Sequence, residues 1–314
     1  MNIQQLQYVL AVAEYRHFEQ AADKCCITQS TLSTMISKLE DEIGIKIFDR
    51  KKKPVQLTNE GALIIGQIKN ITAQIDQLQE LTKEIKGEIA GSLTLSVIPT
   101  IAPFLLPLFL QDFALKFPNL KITVREETTS EIERKLKSRE LDIGIVSIPL
   151  NNSELEEYRL YDEPFLYFDA LQTSKKTIKA RKIKLDNLCL LEDSHCMRTQ
   201  VLQFCDFISE QSNTILNFEY KAGSIDSLLR FVKANNAATL LPLLAVRDFS
   251  KSEKLHLRNF DAPVPYRSVG SVVHRHFVKK KLLHVLQQEI MQKVTPILKK
   301  QVEIDGKMLY PLAN

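Results

Sequence analysis

The stretch ITQSTLSTMISKLEDEIGIKIFDRKKKPVQLT, residues 27–58, decides how the N-terminal part folds. Thr28 suits the N-cap of a helix, and Leu32, Ile36, Leu39 and Ile43 recur at the spacing of one buried helical stripe. The opposite face offers Gln29, Ser30, Ser33, Thr34 and Ser37, with Lys38 beside them. Short side chains that donate and accept hydrogen bonds enter a nucleic-acid groove without strong charge repulsion. After the helix, FDRKKKPVQLT predicts a two-stranded wing with four consecutive cations, Arg50, Lys51, Lys52 and Lys53, at its tip. A solvated charge run on a small helical domain would account for the cations alone. Their order after a helix, a tight turn and a polar-faced helix is instead that of a winged helix-turn-helix. The second helix of the pair then reads the major groove of double-stranded DNA, and the wing cations lie near phosphate or the minor groove.

Upstream, Ile3, Leu6, Val9, Leu10 and Ala13 predict a first helix. Ala21 and Ala22 sit on a short second one, about Phe18 to Lys24, and are small enough for close helix packing. Downstream, Ile64, Ile68, Ile71, Ile75, Leu78, Thr82 and Ile85 alternate steps of four and three, a coiled-coil seam on one long helix over 59–88. Such a helix spans about 45 Å. A seam that long calls for a partner helix, which predicts a homodimer with two DNA-reading heads. The alternative is a helix packed on its own chain.

From residue 89 onward strand and helix alternate. SLTLSVI, a helix over about 102–117, LKITVRE, a helix over about 129–139 and LDIGIVSI predict one right-handed α/β run. LYDEPFLYFDA, LCLLED, a helix from Cys196, ILNFEY, a helix over about 224–235 and ATLLPLLAV predict a second. YRSVGSVVHR and a terminal amphipathic helix close the fold. The expected class is α/β, in three parts: a winged helix-turn-helix over 1–58, a linker and dimerisation helix over 59–88, and a two-lobed regulatory domain over 89–314. Lobe I takes about 91–162 and 267–303, and lobe II about 163–266. Two lobes of this size hold a ligand in the crevice between them.

The totals set bounds. A net charge of +4 permits a polyanion partner without demonstrating one. The most apolar window, IAPFLLPLFLQDFALKF, is broken by Pro103, Pro107, Gln111 and Asp112, which excludes a membrane span there. Gln4, Gln5, Glu14 and Arg16 interrupt any N-terminal signal segment. A cytoplasmic protein without a membrane partner is expected. Five cysteines, an odd number, fit a reducing compartment in which any functional disulfide is transient.

Two of those cysteines stand in LLEDSHCMRTQVLQFC, residues 190–205. Core filling, a metal clasp and an oxidisable thiol pair are the three readings. HC-x8-C lacks the close ligand pairs of zinc sites, which argues against metal. Cys196 follows a strand and opens a predicted helix, where free N–H groups favour a thiolate, and His195 and Arg198 flank it. Cys205 shares the stripe of Val201, Phe204 and Ile208, and Cys189 lies in an apolar strand.

With these parts in place the chain resembles the LysR-type transcriptional regulators along nearly its whole length. RHFEQAAD, QSTLS, KLEDEIGIKIFDR and LTNEG stand where that family's N-terminal signature stands. SVIPTIAPFLLP, EETTSEIERKLKSRELD, LYDEPFL, LLEDSHCMRTQVLQFC and ATLLPLLAV are similar to its hydrogen-peroxide-sensing members. The resemblance implies a regulatory domain like periplasmic binding proteins, an activator working with RNA polymerase, a homodimer that pairs into a homotetramer, and neither cofactor nor enzymatic activity. It implies that Cys196 meets hydrogen peroxide and Cys205 resolves it into a disulfide. It sets Thr100, Thr129, His195, Cys196 and Arg275 around the peroxide. Most relatives instead bind a small organic effector in the crevice, which is the alternative. A thiol peroxidase would need its disulfide reduced at every turnover, and the DNA-reading head argues against it.

The chain departs from the family at Ser30, where proline is usual, and at Met35, where glutamine is frequent. Glu219 stands where some relatives carry a second histidine, and the tail beyond about 303 has no counterpart. If residues 196–205 are helical, the two Cα atoms are separated by a rise of about 13.5 Å, whereas a disulfide needs roughly 7 Å or less. Such a bond forms only if the helix unwinds and draws Cys205 out of the core.

Overall fold

The computed structural model describes residues 1–85, 89–173, 177–179, 183, 188–191, 222–262, 264–305 and 309–311. The chain divides near residue 87 into two compact units, each with its own apolar core.

The first unit contains α1 (Ile3–Tyr15), α2 (Phe18–Lys24), α3 (Gln29–Ile43), β1 (Phe48–Asp49), β2 (Gln56–Leu57) and α4 (Asn59–Ile85). A capping box starts α1: the Asn2 side chain accepts from Gln5 N, and the Gln5 side chain accepts from Asn2 N, both at 2.9 Å. Thr28 Oγ1 accepts from Thr31 N at 3.2 Å to cap α3. The helix stops at Gly44, whose φ of +72° is a conformation that glycine adopts without a Cβ clash. Leu32, Ile36 and Leu39 are buried with Val9, Val12, Ala21 and Ala22, and Ile43 is half-buried at the edge. At the head of α4, a Cβ on Gly61 would lie 2.2 Å from the Ile47 carbonyl oxygen, so only glycine lets that turn approach the wing.

Along α4 the coiled-coil seam divides in two. Ile68 is buried, with Ile65 beside it, in the core of its own unit, whereas Ile71 is 40% exposed and Leu78 64% exposed.

The second unit contains β3 (Gly91–Val97), α5 (Ala102–Lys116), β4 (Leu120–Glu126), α6 (Thr129–Lys137), β5 (Ile143–Ile148) and β6 (Leu155–Asp169). It continues with α7 (Ile225–Ala234), β7 (Ala238–Pro242), α8 (Lys251–Lys254), β8 (Leu257–Arg258), β9 (Val264–His274), α9 (Lys280–Asp305) and β10 (Leu309–Pro311). The sheet order is β4-β3-β5-β9-β6-β7, with β8 on β6 and β10 on β9. β3 is parallel to β4 and β5, while β9 runs antiparallel to β5 and β6. Residues 143–146 of β5 are all buried, as in a strand with both sheet faces covered. Leu105, Phe109 and Phe113 on α5, and Leu282, Leu286, Ile290 and Val294 on α9, supply buried stripes at four-residue steps.

β6 is the element that joins the two halves of this sheet. Its first part pairs with β9 from Leu155↔His274 to Pro164↔Tyr266, and Phe165–Asp169 pair with β7. It begins five residues earlier than LYDEPFLYFDA suggests. ATLLPLLAV, expected as one strand, stops at Pro242 and continues as a 3-10 turn, Leu243–Val246. The turn is held by the Glu163 carboxylate, which accepts from Leu244 N at 2.8 Å. In the tail, β10 lies parallel to the start of β9, Leu309 opposite Val264. No described helix is long and apolar enough to cross a membrane. The helix expected from Cys196 and the strand ILNFEY lie outside the described residues.

Candidate functional site

On the face of α3 expected to read DNA, Gln29, Ser30, Thr34 and Lys38 are exposed, while Ser33 and Ser37 are half-buried. The cause is Arg50. Its guanidinium donates to Ser33 Oγ at 2.9 Å, Ser37 Oγ at 3.0 Å and Glu40 Oε2 at 3.3 Å, and lies over the Phe18 ring at 5.0 Å. Glu40 is buried, and its other oxygen accepts from Ile47 N at 2.8 Å and Phe48 N at 3.2 Å. A carboxylate on the inner side of α3 thus braces the entry to the wing and holds Arg50 against that helix. Lys51, Lys52 and Lys53 are exposed at the wing tip, and Lys52 Nζ donates to Gln56 Oε1 at 3.1 Å. Glu40 escaped the sequence reading, although an acid four residues after Ile36 on the buried stripe was a usable signal.

In the regulatory unit, Thr100 lies in the turn between β3 and α5 and is buried. Arg267 of β9 donates Nη1 to Thr100 Oγ1 and Nη2 to the Thr100 carbonyl, both at 3.0 Å. Its Nε and Nη2 also donate to Glu163 Oε2, at 2.9 and 2.8 Å. Arg267 is 1% exposed, Glu163 is equally enclosed, and the remaining carboxylate oxygen takes Leu244 N. A charge pair this deep is tolerable because both partners are densely hydrogen-bonded. The guanidinium uses the Thr100 hydroxyl as an acceptor, so the hydroxyl hydrogen is directed elsewhere. Thr129 opens α6 just after β4 and is half-buried, and Thr128 caps the same helix by accepting from Glu131 N at 3.4 Å. β3 and β4 are parallel neighbours, so Thr100 and Thr129 sit at the same, C-terminal, edge of the sheet.

Arg275 is not brought there. It is exposed beyond the last residue of β9, where its N–H donates to the Glu154 carbonyl at 3.0 Å. Eight extended residues separate it from Arg267, about 26 Å along the strand. β9 runs antiparallel to β5, so its beginning, not its end, lies beside the loops that carry Thr100 and Thr129. The arginine at Thr100 is Arg267, and Arg275 lies at the opposite end of β9.

His195, Cys196 and Cys205 lie outside the described residues, as do Arg198 and Glu219. The flanking residues Leu191 and Ala222 are buried and bridge one another. Cys189 is half-buried with its thiol pKa pushed up by burial, as in an unreactive core cysteine. Burial raises the Cys25 thiol as well, while Cys26 is exposed in the turn before α3.

Residues 3–62 match the bacterial regulatory helix-turn-helix protein of the lysR family, and residues 86–294 match the LysR substrate binding domain. The chain belongs to the LysR family. Among similar proteins, the DNA-binding transcriptional dual regulator OxyR of Escherichia coli K12 is 33% identical over 275 residues, spanning 87% of this chain and 89% of that one. The hydrogen peroxide-inducible genes activator of Haemophilus influenzae is 31% identical over 279 residues, 87% and 90% of the two chains. A full-length OxyR variant from Pseudomonas aeruginosa shares the fold with a TM-score of 0.73 at 29% identity, covering 93% of this chain and 98% of that one. This LysR-family chain is a DNA-binding transcriptional regulator, of the α/β class with an N-terminal helix-turn-helix, in a family of regulators rather than enzymes.

Proposed function

We propose that the protein senses hydrogen peroxide through Cys196 and transmits the signal to DNA by a reversible Cys196–Cys205 disulfide. The observation that carries this reading is the buried Arg267–Thr100 contact. It gives a sheet edge with an enclosed cation and a hydroxyl free to donate, suited to a small neutral ligand. The similarity to proteins named OxyR supports the same chemistry.

In this mechanism the peroxide rests against Thr100, Thr129 and His195, with Arg267 in the role first given to Arg275. The Cys196 thiolate attacks one peroxide oxygen; an S–O bond forms, the O–O bond breaks, and hydroxide leaves and takes up a proton. The Cys205 thiol then attacks the sulfenic sulfur, forming the disulfide and releasing water. The segment between the cysteines gives way as they join, and the change reaches the DNA-reading heads. Those heads are paired through α4, whose exposed Ile71 and Leu78 suit a second copy of the helix. Gln29, Ser30, Ser33, Thr34, Ser37 and Lys38 face the groove, and Arg50 to Lys53 serve the backbone. The regulator acts in the cytoplasm as a homotetramer that engages RNA polymerase as an activator.

Brief substoichiometric peroxide followed by mass spectrometry of the thiols tests the reading. The expected product is a Cys196–Cys205 disulfide with Cys25, Cys26 and Cys189 still reduced, and Cys196→Ser abolishes the peroxide-dependent change in DNA footprint. A footprint that still changes in Cys196→Ser would point to an organic effector instead.

A further inference from the structure

Tyr161 is a buried polar residue that the proposed mechanism does not use. It is 6% exposed, and its hydroxyl has no hydrogen-bond partner among the described residues. Its place is set by an irregularity in β6. Arg159 pairs with Gly270 and Tyr161 with Val269, so Leu160 is the extra residue of a bulge. Bulges re-aim side chains and are frequent beside functional sites. Without this one, Leu160 would stand opposite Val269. With it, Tyr161 takes that position and shares a sheet face with Glu163 and with Arg267, which is directly opposite Glu163. Three of the four polar groups gathered here, Thr100, Glu163 and Arg267, are joined by hydrogen bonds. The fourth is left over.

We propose that Tyr161 is a further binding residue for the small-molecule site: its hydroxyl donates a hydrogen bond to one small neutral molecule beside Arg267 and Thr100. Water is the resting occupant, and hydrogen peroxide takes its place during sensing. This rests on the peroxide-sensing reading above. The chemistry fits on two counts. A buried hydroxyl without a partner is unfavourable, and an occupant with both donor and acceptor capacity removes that penalty. The phenol also stays protonated, because burial, reinforced by the nearby Glu163 carboxylate, pushes its pKa well up; it therefore remains a donor throughout the working range. A neutral donor suits an uncharged peroxide, and the adjacent cation is already matched by Glu163.

Tyr161→Phe removes the hydroxyl and keeps the ring. In the full-length reduced protein, the rate of Cys196 oxidation by hydrogen peroxide should fall roughly two- to tenfold, the worth of one neutral hydrogen bond. Alkylation of the same thiol by iodoacetamide, which makes no use of that bond, should proceed at the wild-type rate. The melting temperature should not rise, because the lost hydroxyl had a partner. An unchanged peroxide rate, an equal slowing of both reagents, or a raised melting temperature overturns the inference. If Cys196 of the wild type fails to react with peroxide at all, the sensing reading falls and this inference with it. A normally reacting wild type beside an unaffected Tyr161→Phe sinks the inference alone.

Discussion

The two units of this chain use the same device at different depths. In the DNA-binding unit Glu40 accepts two backbone N–H groups and holds Arg50, whose side chain is 36% exposed and reaches two serine hydroxyls. In the regulatory unit Glu163 accepts one N–H and holds Arg267, which is 1% exposed and reaches one threonine. Each acid stiffens a turn and aims an arginine at a hydroxyl. Both acids are enclosed, but their remaining partners differ. Without Arg50, Glu40 keeps two N–H donors and Lys46 Nζ at 3.6 Å, and the guanidinium it loses is already near water. Without Arg267, Glu163 keeps a single N–H and is stranded. The first arrangement positions a surface, and the second builds an interior.

That contrast predicts a ranking. Arg267→Ala should destabilise the regulatory unit by about 3–5 kcal/mol, since it leaves Glu163 charged and unpaired. Arg275→Ala, at the other end of the strand, should leave both melting and the peroxide response unchanged. Comparable effects from the two arginines in thermal unfolding would remove the distinction. Glu40→Ala strands two N–H donors and should lower the stability of the DNA-binding unit by about 2–3 kcal/mol. Arg50→Ala should cost less, about 1 kcal/mol in urea unfolding, because Glu40 keeps both N–H donors and the neighbouring Lys46. If Arg50 proves the costlier loss, the brace has been assigned to the wrong partner.

At the wing, each of Lys51, Lys52 and Lys53 replaced by glutamine should reduce the slope of log affinity against log salt by about 0.9 where it touches phosphate. Arg50→Gln should change the slope less, because its charge is committed to Glu40 and to the serines of α3. Equal slopes for all four positions would show that Arg50 lets go of the helix when DNA arrives.

The smallest effect is expected at the surface. Glu253 pairs with Lys233 and closes a capping box with Ser250; the Lys233 bond first, then the Ser250 bonds, hold its pKa down at about 2. A depressed carboxylate stabilises the fold above its ordinary value of 4.5 and loses that contribution as pH falls towards 2. Glu253→Gln should therefore lower stability slightly at pH 7 and flatten the acid limb between those values, so that variant and wild type converge near pH 2. A difference that persists undiminished at pH 2, or none at pH 7, would contradict the linkage.

Local chemistry made the DNA-binding head readable from sequence. A cap at Thr28, a stripe through Leu32, Ile36 and Leu39 and a glycine stop at Gly44 all act within a few residues of one another. The strands and helices of the regulatory unit were readable for the same reason. Choosing between Arg267 and Arg275 was not, because both follow the same alternation and only the direction of β9 beside β5 separates them. Glu40 went unread because the N–H groups it accepts come from Ile47 and Phe48 at the entry to the wing, not from its own helix. Pro242 ended a strand that apolar content alone would have prolonged. The tail could not be read because its pairing partner, Val264 to Tyr266, lies more than forty residues upstream.

β6 has a mechanical consequence. It passes without a break from the half of the sheet shared with β5 into the half shared with β7, alongside β9 for most of its length. Two continuous strands hydrogen-bonded to each other make a ribbon that resists sliding and yields to torsion. One half can turn against the other only by winding or unwinding that ribbon. Its most irregular point, the bulge at Leu160, sits a few residues from the Glu163–Arg267 pair, so a twist would be felt first at the arginine that holds Thr100.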